Sequence, residues 1–478
     1  MNKKDKVFTN FLWRLLERFG AQGVTFVVSI VLARILDPAV YGVVAMVAVF
    51  TTIMQVFVDS GMGTALIQKK DADDLDFSTV FYFNVVICFI LYGLMFMAAP
   101  LIASFYRMPE LTPLVRVSSL ILIISGVKNI QQAYVSRHML FKKFFFATLG
   151  GTVGAAVIGI WMALKGYGVW ALVAQNLFNM AMDTIILWLT VKWRPKLMFS
   201  FERLKSLFAF GWKLLVSSLL DTGYTRLREL IIGKLYTPSD LAFYNKGQNF
   251  PYLVTSNINA SIDSVLFPAL SSEQEDPQRV KAMTRRAISV SSYIMWPMMM
   301  GLAACATPFV RLLLTDKWLP CVFFLRMYCF SYAFYPIHTA NLNAIKAMGR
   351  SDLYLILEIL KKLVGLTALV CTMFISVKAM AYSLFFTSVA CQIINSWPNR
   401  KLLNYGYLEQ LKDILPSLGM ALVMAACVFF MQYLPLPTVV ILVLQIVIGA
   451  LIYYLESRIF QAESYNYILD TVKKFIRR

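Results

Sequence analysis

Apolar runs of about 20 residues recur along almost the whole of this 478-residue chain. A helix of about 20 apolar residues is long enough to cross the hydrocarbon core of a bilayer. Hydrophobic residues make up 59% of the chain and charged residues 15%, whereas soluble domains average roughly 45–50% and about 25%. A soluble fold of this composition would expose far too much apolar surface. The sequence therefore predicts an all-α polytopic membrane protein.

We predict about fourteen transmembrane helices from the length of the apolar runs. They cover residues 10–36, 41–67, 77–105, 114–136, 144–164, 168–191, 207–235, 241–270, 287–314, 319–346, 353–376, 379–398, 413–433 and 437–457. The connections between them are too short to hold a separate domain. After the last span, apolar residues alternate with lysines and arginines, as in an amphipathic helix at a membrane surface.

Basic residues are unevenly distributed between alternate connections. One set of connections, together with both termini, holds most of the lysines and arginines; the other set holds only Arg107, Lys165, Lys234, Lys317 and Lys378. Lysine and arginine accumulate in the cytoplasmic loops of membrane proteins. The basic side is therefore predicted to be cytoplasmic, with both termini inside. The net charge of +19 has the same origin, and we expect no binding to nucleic acid.

Segments of the first spans recur about 200 residues later. Trp13–Leu16 matches Trp212–Leu215 at an offset of 199 residues, and Val31–Pro38 matches Ile231–Pro238 at an offset of 200. Six spans precede the second copy, so the copies have the same orientation and form parallel repeats about an axis along the membrane normal. We predict a six-helix bundle at 1–206, a second at 207–402, two further transmembrane helices at 403–457 and a cytoplasmic amphipathic tail at 458–478.

Polar residues form a stripe along one face of the first span and again along the seventh. The two stripes superpose after a shift of 199 residues. The stripe of the first span contains Arg14, Arg18, Gln22, Thr25 and Ser29, and the stripe of the seventh span contains Lys213, Ser217, Asp221, Tyr224 and Arg228. Spacings of three and four residues place each set on one helix face. Ionisable groups inside spans usually face a water-filled interior, so we predict a hydrated central cavity lined by spans 1, 2, 7 and 8.

The predicted cavity has a small excess of cations, which suits an anionic cargo. Its candidate substrate-binding residues are Arg14, Arg18, Gln22, Lys128, Lys213, Asp221, Arg228 and Lys246, and its candidate gating or ion-coupling residues are Glu17, Asp59 and Asp263. We further expect Arg14 or Arg18 to pair with Asp59, and Lys213 with Asp263, closing the cytoplasmic mouth in an outward-facing state. We expect neither catalytic residues nor a metal site.

Several ordered motifs resemble those of one family. They are Leu36–Gly42, Phe57–Gln68, Gly168–Gln175, Phe210–Lys213, Tyr244–Gln248 and Gly349–Asp352. Together they resemble Wzx-type polysaccharide flippases, and most of all the colanic-acid-type branch of the multidrug/oligosaccharidyl-lipid/polysaccharide exporter superfamily. The resemblance covers spans 1 to 12. It implies two six-helix bundles in a V, plus two extra helices.

The resemblance also implies a function. A member of this family would move an undecaprenyl-diphosphate-linked oligosaccharide repeat unit from the cytoplasmic to the periplasmic leaflet of the bacterial inner membrane, for surface polysaccharide biosynthesis. The implied partners are that lipid-linked glycan, the bilayer, and the polysaccharide polymerase and chain-length proteins, with the transporter itself a monomer. No cofactor is expected, and a coupling ion, Na⁺ or H⁺, is left open. Tyr224 and Tyr252 could stack on sugar rings, although packing is the commoner use of such tyrosines.

Two other classes of function can be compared with these sequence features. Asp71-Ala72-Asp73 has the form of a metal-binding glycosyltransferase motif, but its connection is too short to carry a nucleotide-sugar domain. These aspartates are better explained as caps of the next span, so we expect a protein that is not an enzyme. A drug or cation antiporter and a lipid II flippase of the same superfamily remain alternatives. The antiporter would favour an acidic, aromatic pocket.

The orientation can be tested by cysteine labelling. In a cysteine-free background, Ser200→Cys should react with a membrane-permeant maleimide but not with an impermeant one added outside, because the basic connection 192–206 is predicted to be cytoplasmic. Lys165→Cys, in an outer connection, is the matched control and should react with both reagents. Labelling of position 200 from outside would reverse the predicted topology.

Overall fold

The computed structural model describes residues 3–59, 61–460 and 463–476, with side chains described for these residues except 3–12, 14–19, 210, 471, 472, 475 and 476. The first half of the chain forms α1 (Lys3–Ile35), α2 (Pro38–Asp59), α3 (Met62–Gln68), α4 (Asp74–Tyr106), α5 (Leu111–Ser118), α6 (Leu120–Arg137), α7 (Phe141–Leu164), α8 (Val169–Thr190) and α9 (Phe201–Leu235).

The second half of the chain is also helical wherever it forms regular structure in the described residues. It contains α10 (Pro238–Ser271), α11 (Pro277–Ala304), α12 (Ala306–Leu314), α13 (Cys321–Tyr332), α14 (Tyr335–Ala347), α15 (Ser351–Thr372), α16 (Val377–Leu402), α17 (Tyr407–Phe430), α18 (Thr438–Ile459) and α19 (Glu463–Ile476). Short 3₁₀ turns cover Asp316–Trp318 and Met431–Tyr433.

Within the described residues, nine helical stretches are long and apolar enough to cross a membrane. They are Pro38–Gln68, Asp74–Tyr106, Leu111–Arg137, Phe141–Leu164, Val169–Thr190, Pro277–Ala304, Val377–Leu402, Tyr407–Tyr433 and Thr438–Ile459. Each overlaps a predicted span, although Pro277–Ala304 ends ten residues before the predicted end of the span 287–314, whose last part forms α12. The protein is therefore a multi-pass membrane protein.

The other five predicted spans also fall on helices, namely α1, α9, α10, α15 and the pair α13 and α14. Long helices such as the 35-residue α9 and the 34-residue α10 interrupt their apolar sequence with polar and charged residues. The pair α13 and α14 is divided at residues 333–334 into helices of 12 and 13 residues. These five spans, and the total of fourteen, stay predictions.

The chain divides into two compact units, residues 1–242 (unit 1) and residues 243–478 (unit 2). In unit 1, α7 packs against α8 and α1, α2 packs against α9, and α4 packs against α6. Unit 1 thus contains α9, which the sequence repeat assigns to the second bundle. The repeat and its boundary at residue 206 rest on sequence offsets and stay a prediction.

A capping box begins α4. The Asp73 carboxylate accepts a hydrogen bond from the backbone N–H of Asp76 at 2.9 Å, and the Asp76 carboxylate accepts one from the backbone N–H of Asp73 at 3.2 Å. Asp76 is fully buried and pairs with Lys69 at 2.6 Å and Arg203 at 3.5 Å. The prediction that aspartates of this connection cap the third span is confirmed for Asp73 and Asp76.

Side chains at the start of α4 also hold the connection between α8 and α9. The hydroxyls of Ser78 and Thr79 accept hydrogen bonds from the backbone N–H groups of Lys196 and Ser200, each at 3.1 Å. The indole N–H of Trp193 donates to Asp74 at 3.2 Å. These contacts satisfy backbone donors in a segment that forms no helix, so the connection between α8 and α9 is fixed to the start of α4.

In unit 2, α17 and α18 pack into the helical core. α17 lies along α11, and α18 contacts α17 and α12. Fully buried amides join three helices: Asn341 of α14 and Gln410 of α17 exchange two hydrogen bonds of 2.9 Å, and Asn399 of α16 donates to Asn341 at 2.7 Å. The two helices beyond the predicted repeat are therefore part of the body of unit 2.

The cap of α4 gives a testable prediction. Asp73→Ala removes the acceptor for the Asp76 N–H and should destabilise unit 1 by about 1 kcal/mol, as for other N-cap replacements. Thermal unfolding in detergent measures the change. Asp71→Ala, at an exposed position in the same connection, is the matched control and should change little.

The effect of Asp73→Ala should depend on pH. The Asp76 N–H that donates to the Asp73 carboxylate holds the pKa of that carboxyl below its ordinary value. A carboxyl with a lowered folded-state pKa contributes stability that is complete above its unfolded pKa and is lost as the pH falls through the folded pKa. The difference in stability between the wild type and Asp73→Ala should thus be full at neutral pH and shrink as the pH falls into the acid range. A difference in stability that does not change with pH would contradict this prediction.

Candidate functional site

The predicted stripe of the first span lies on α1. Gln22 is half-buried on this helix. The side chains of Arg14, Glu17 and Arg18 lie outside the described residues. Their predicted roles as cargo ligands and gate, and their predicted pairing with Asp59, therefore stay predictions.

The stripe on α9 lies on an accessible part of the helix. Lys213 and Asp221 are exposed, and Arg228 is half-buried. The apolar Trp212 and Leu214 beside them are exposed as well, at 44% and 37%. Lys213 and Arg228 are 15 positions apart in the helix, or about 22 Å at 1.5 Å per residue. Cations are thus spaced along most of the thickness of a bilayer core.

Arg226 and Glu229 lie off this stripe, and their spacing of three residues on a helix predicts that they pair with each other. The Arg226 guanidinium donates to the Glu229 carboxylate at 2.7 Å, and Glu229 is only 7% exposed. The pairing is confirmed. Arg226 and Glu229 thus form a local pair within α9.

Lys128 of α6 forms a buried ion pair with Asp183 of α8 inside unit 1. The two side chains are 11% and 10% exposed. The Lys128 ammonium also lies 3.5 Å from the sulfur of Met180. We predicted Lys128 as a cargo ligand at the cavity surface, but a buried cation whose charge is already compensated is poorly placed to bind a second anion.

Asp59 stands at the C-terminal end of α2, where its exposed carboxylate accepts hydrogen bonds from two amides. Asn129 Nδ2 of α6 lies 3.4 Å and Gln55 Nε2 lies 3.5 Å from the Asp59 carboxylate. Asn129 also donates to the Val58 carbonyl at 3.1 Å. The end of α2 is thereby attached to α6 in unit 1.

Asp263 of α10 has a similar partner in unit 2. Its exposed carboxylate accepts a hydrogen bond of 2.9 Å from Asn343 Nδ2 of α14. Asp59 and Asp263 are 204 positions apart and their asparagine partners are 214 apart, so the two arrangements are alike without being strictly superposable. The predicted pairing of Asp263 with Lys213 stays a prediction.

Lys246 is another predicted cargo ligand that the structure buries. The residue is only 6% exposed, and its ammonium lies 5.5 Å from the ring centroid of Trp318. An ammonium over an indole face is stabilised by the ring quadrupole. Lys246 therefore contributes to the interior of unit 2, where it holds α10 against the turn at Asp316–Trp318.

Sequence reasoning missed Asp183 as the partner of Lys128. The sequence did contain a signal for this pair. Asp183 is an isolated carboxylate inside the apolar sixth span, and such a group usually has a partner. Within the described part of the chain, no group of three or more His, Cys, Asp and Glu side chains could hold a metal ion. Among the predicted site residues whose side chains the structure describes, Lys213, Asp221, Asp59 and Asp263 are exposed and Arg228 is half-buried.

A sequence profile of the family described as "Polysaccharide biosynthesis protein" matches residues 31–323, which is more than half of the chain. The chain belongs to this polysaccharide biosynthesis protein family. The match begins in α1 and extends into α13, so it includes α9 and α10 with most of the predicted site.

Two curated relatives illustrate the family. The chain is 26% identical over 313 residues to the succinoglycan biosynthesis transport protein ExoT of Rhizobium meliloti (strain 1021), a match that covers 65% of this chain and 63% of that protein. It is 24% identical over 448 residues to the lipopolysaccharide biosynthesis protein WzxC of Escherichia coli (strain K12), a match that covers 92% of this chain and 88% of that protein. The chain thus spans less than two thirds of the first relative and most of the second.

A solved structure shows the same fold. The lipid II flippase MurJ, in an inward closed conformation, superposes with a TM-score of 0.74 over 95% of this chain and 98% of that chain, at 15% sequence identity. At this identity the likeness concerns the fold alone. The chain therefore shares its helical fold with this flippase structure.

The buried ion pair of unit 1 can be tested by mutation. Lys128→Met or Asp183→Asn leaves one buried group without its partner and should destabilise the protein by about 3–5 kcal/mol, whereas the double variant Lys128→Met/Asp183→Leu should recover much of that loss. Thermal unfolding in detergent is the measurement.

A matched control is the exposed pair of Arg311 and Asp316, whose atoms lie 2.7 Å apart and whose side chains are 50% and 74% exposed. Asp316→Asn should change stability by less than about 1 kcal/mol. If the Lys128 and Asp183 variants were as mild as this control, the pair would not be a significant part of the interior.

Proposed function

We propose that this chain transports a lipid-linked oligosaccharide, an undecaprenyl-diphosphate-linked repeat unit, from the cytoplasmic to the periplasmic leaflet of the bacterial inner membrane. The transport proceeds by alternating access and supplies surface polysaccharide biosynthesis. Its partners are the lipid-linked glycan and, downstream, the polymerase and chain-length proteins. Membership of the polysaccharide biosynthesis family and the names of the two relatives support this proposal.

The observation that carries the proposal is the accessible stripe on α9. Lys213 is exposed and Arg228 half-buried on a helix whose polar face repeats that of α1. Such groups are costly in a bilayer unless they meet water, a partner or a charged ligand. A stripe of cations separated along one helix suits a cargo whose anionic group must move across the membrane.

The chemistry of the cargo fits this stripe. A lipid-linked oligosaccharide combines an anionic diphosphate, a polar glycan and a long apolar tail, and the bilayer interior blocks the first two. Guanidinium groups bind phosphate through paired hydrogen bonds, and lysine binds it as a point charge. Several moderate sites serve transport better than one deep site, because the head group must leave each of them.

Two alternatives belong to the same superfamily. The likeness to the lipid II flippase MurJ suggests lipid II as cargo, and a multidrug transporter of the superfamily superposes with a TM-score of 0.63. A drug antiporter would take cations, which the lysine and arginine of the α9 stripe disfavour. Liposomes containing the purified protein separate the three functions by transfer of the lipid-linked repeat unit, of lipid II or of a cationic drug.

The cargo site is tested by neutralising one cation in each repeat. Arg14→Gln or Lys213→Gln alone should reduce surface polysaccharide partially, because each cation contributes about 1.5–3 kcal/mol as a hydrogen bond to a charged group. The double variant should nearly abolish it while the lipid-linked precursor accumulates inside. Surface glycan is measured per correctly inserted protein.

Lys205→Gln provides a matched control, because Lys205 is an exposed lysine near the start of the same helix, before the predicted span. Its export should remain at the wild-type level. Full export by the Arg14→Gln/Lys213→Gln protein at normal insertion would show that the stripes serve helix packing and do not bind the cargo.

A further inference from the structure

Unit 2 contains a row of tyrosine rings contributed by α10, α13 and α14. Tyr332, at the end of α13, has its ring centroid 6.3 Å from that of Tyr252 on α10 and 4.9 Å from that of Tyr335 on α14. Tyr332 itself is buried at 6% exposure, whereas Tyr252 and Tyr335 are 57% and 42% exposed. Two accessible rings therefore flank one buried ring.

The central ring is fixed by a polar contact. Gln248 Nε2, one turn before Tyr252 on α10, donates to the Tyr332 hydroxyl at 2.6 Å. On its other side, Tyr332 packs against Tyr328 at 5.3 Å between centroids. Tyr332 is thus held by Gln248 and Tyr328. The two accessible rings pack against this fixed ring.

The depth of the row distinguishes it from an interfacial aromatic belt. Tyrosines of such belts lie near helix ends, at the level of the lipid headgroups. Tyr252 lies near the middle of the 34-residue α10, and Tyr335 lies where the predicted span 319–346 is divided. These rings therefore lie close to the middle of the predicted membrane thickness.

The backbone at this point is interrupted. Pro336 occupies the first turn of α14 and has no N–H to donate to the Tyr332 carbonyl, which favours a break between α13 and α14 at this point. Interrupted helices at membrane depth occur where the backbone is buried in protein or lines a water-filled cavity, and in transporters they mark binding sites near the midplane.

We propose that Tyr252 and Tyr335, supported by Tyr332 and Gln248, form a stacking surface for a pyranose ring of the transported glycan. A pyranose presents an apolar face of C–H groups and a rim of hydroxyls. A tyrosine ring offers the complementary apolar face together with a hydroxyl that forms hydrogen bonds. This inference rests on the proposed function, and it assigns the sugar to unit 2 separately from the cations that would hold the diphosphate.

The test compares two lipids. The first is the undecaprenyl-diphosphate repeat-unit precursor extracted from the host strain, and the second is undecaprenyl diphosphate without sugar. Binding of each to the purified protein in detergent is measured by the shift of its thermal unfolding midpoint during titration. The wild type should bind the sugar-bearing lipid more tightly, on the order of tenfold for two stacking contacts.

The variants assign this preference to the tyrosines. Tyr252→Ala and Tyr335→Ala should each reduce the preference for the sugar-bearing lipid, and both together should remove it, without changing the affinity for undecaprenyl diphosphate. Tyr252→Phe/Tyr335→Phe keeps the rings and should retain most of the preference. The exposed Tyr382 of unit 2, at 49%, is the matched control, and Tyr382→Ala should behave as the wild type.

The possible failures are distinguishable. If the wild type binds both lipids equally, or if the alanine variants keep the preference, the sugar surface is wrong while diphosphate binding stands. Loss of the preference in Tyr382→Ala would also overturn the assignment. If neither lipid binds the wild type, the proposed function fails and this inference fails with it. Tyr252→Ala alone alters the most exposed ring, so it tests the assignment with the least disturbance of packing.

Discussion

The hydrocarbon core of a bilayer offers no hydrogen-bond partner, so polar groups of this chain at that depth bond within the protein or face water. The helices satisfy the backbone, and polar side chains then bond the carbonyls that remain available. Asn84 of α4 donates to the Gly126 carbonyl of α6 at 3.3 Å, and Gln445 of α18 donates to the Val428 carbonyl of α17 at 2.9 Å. Contacts of this kind attach neighbouring helices where apolar packing alone gives little specificity.

The same constraint divides the charged residues into two classes. The pairs of Lys128 with Asp183 and of Arg226 with Glu229 are largely closed off, and each belongs to the framework of unit 1. Lys213, by contrast, is exposed on a helix that the family shares. The paired charges already have their counter-charges, whereas an exposed cation at the predicted membrane depth of Lys213 would be stabilised by an anionic ligand. This difference is why we place the cargo on the stripes.

Much of the architecture could be predicted from the sequence, because span length and loop charge are local properties. The polar stripe of α9 and the cap at Asp73 were likewise visible as spacings along one segment. The partner of Lys128 was not, since only tertiary packing brings α8 to α6. The hydrogen bonds between the amides of Asn341 and Gln410 could not be predicted for the same reason. The division of the tenth span had a local signal, Pro336, which a long apolar run obscured.

The contacts that fix the connection before α9 have a consequence for the order of assembly. Ser78 and Thr79 accept from backbone groups that lie 118 and 121 positions further along the chain. Those partners leave the ribosome only after the helices up to α8 have been made. Until then the start of α4 is capped by Asp73 but lacks its contacts with the connection between α8 and α9. The start of α4 can therefore reach its final set of contacts only once the segment after α8 has emerged and folded back onto it.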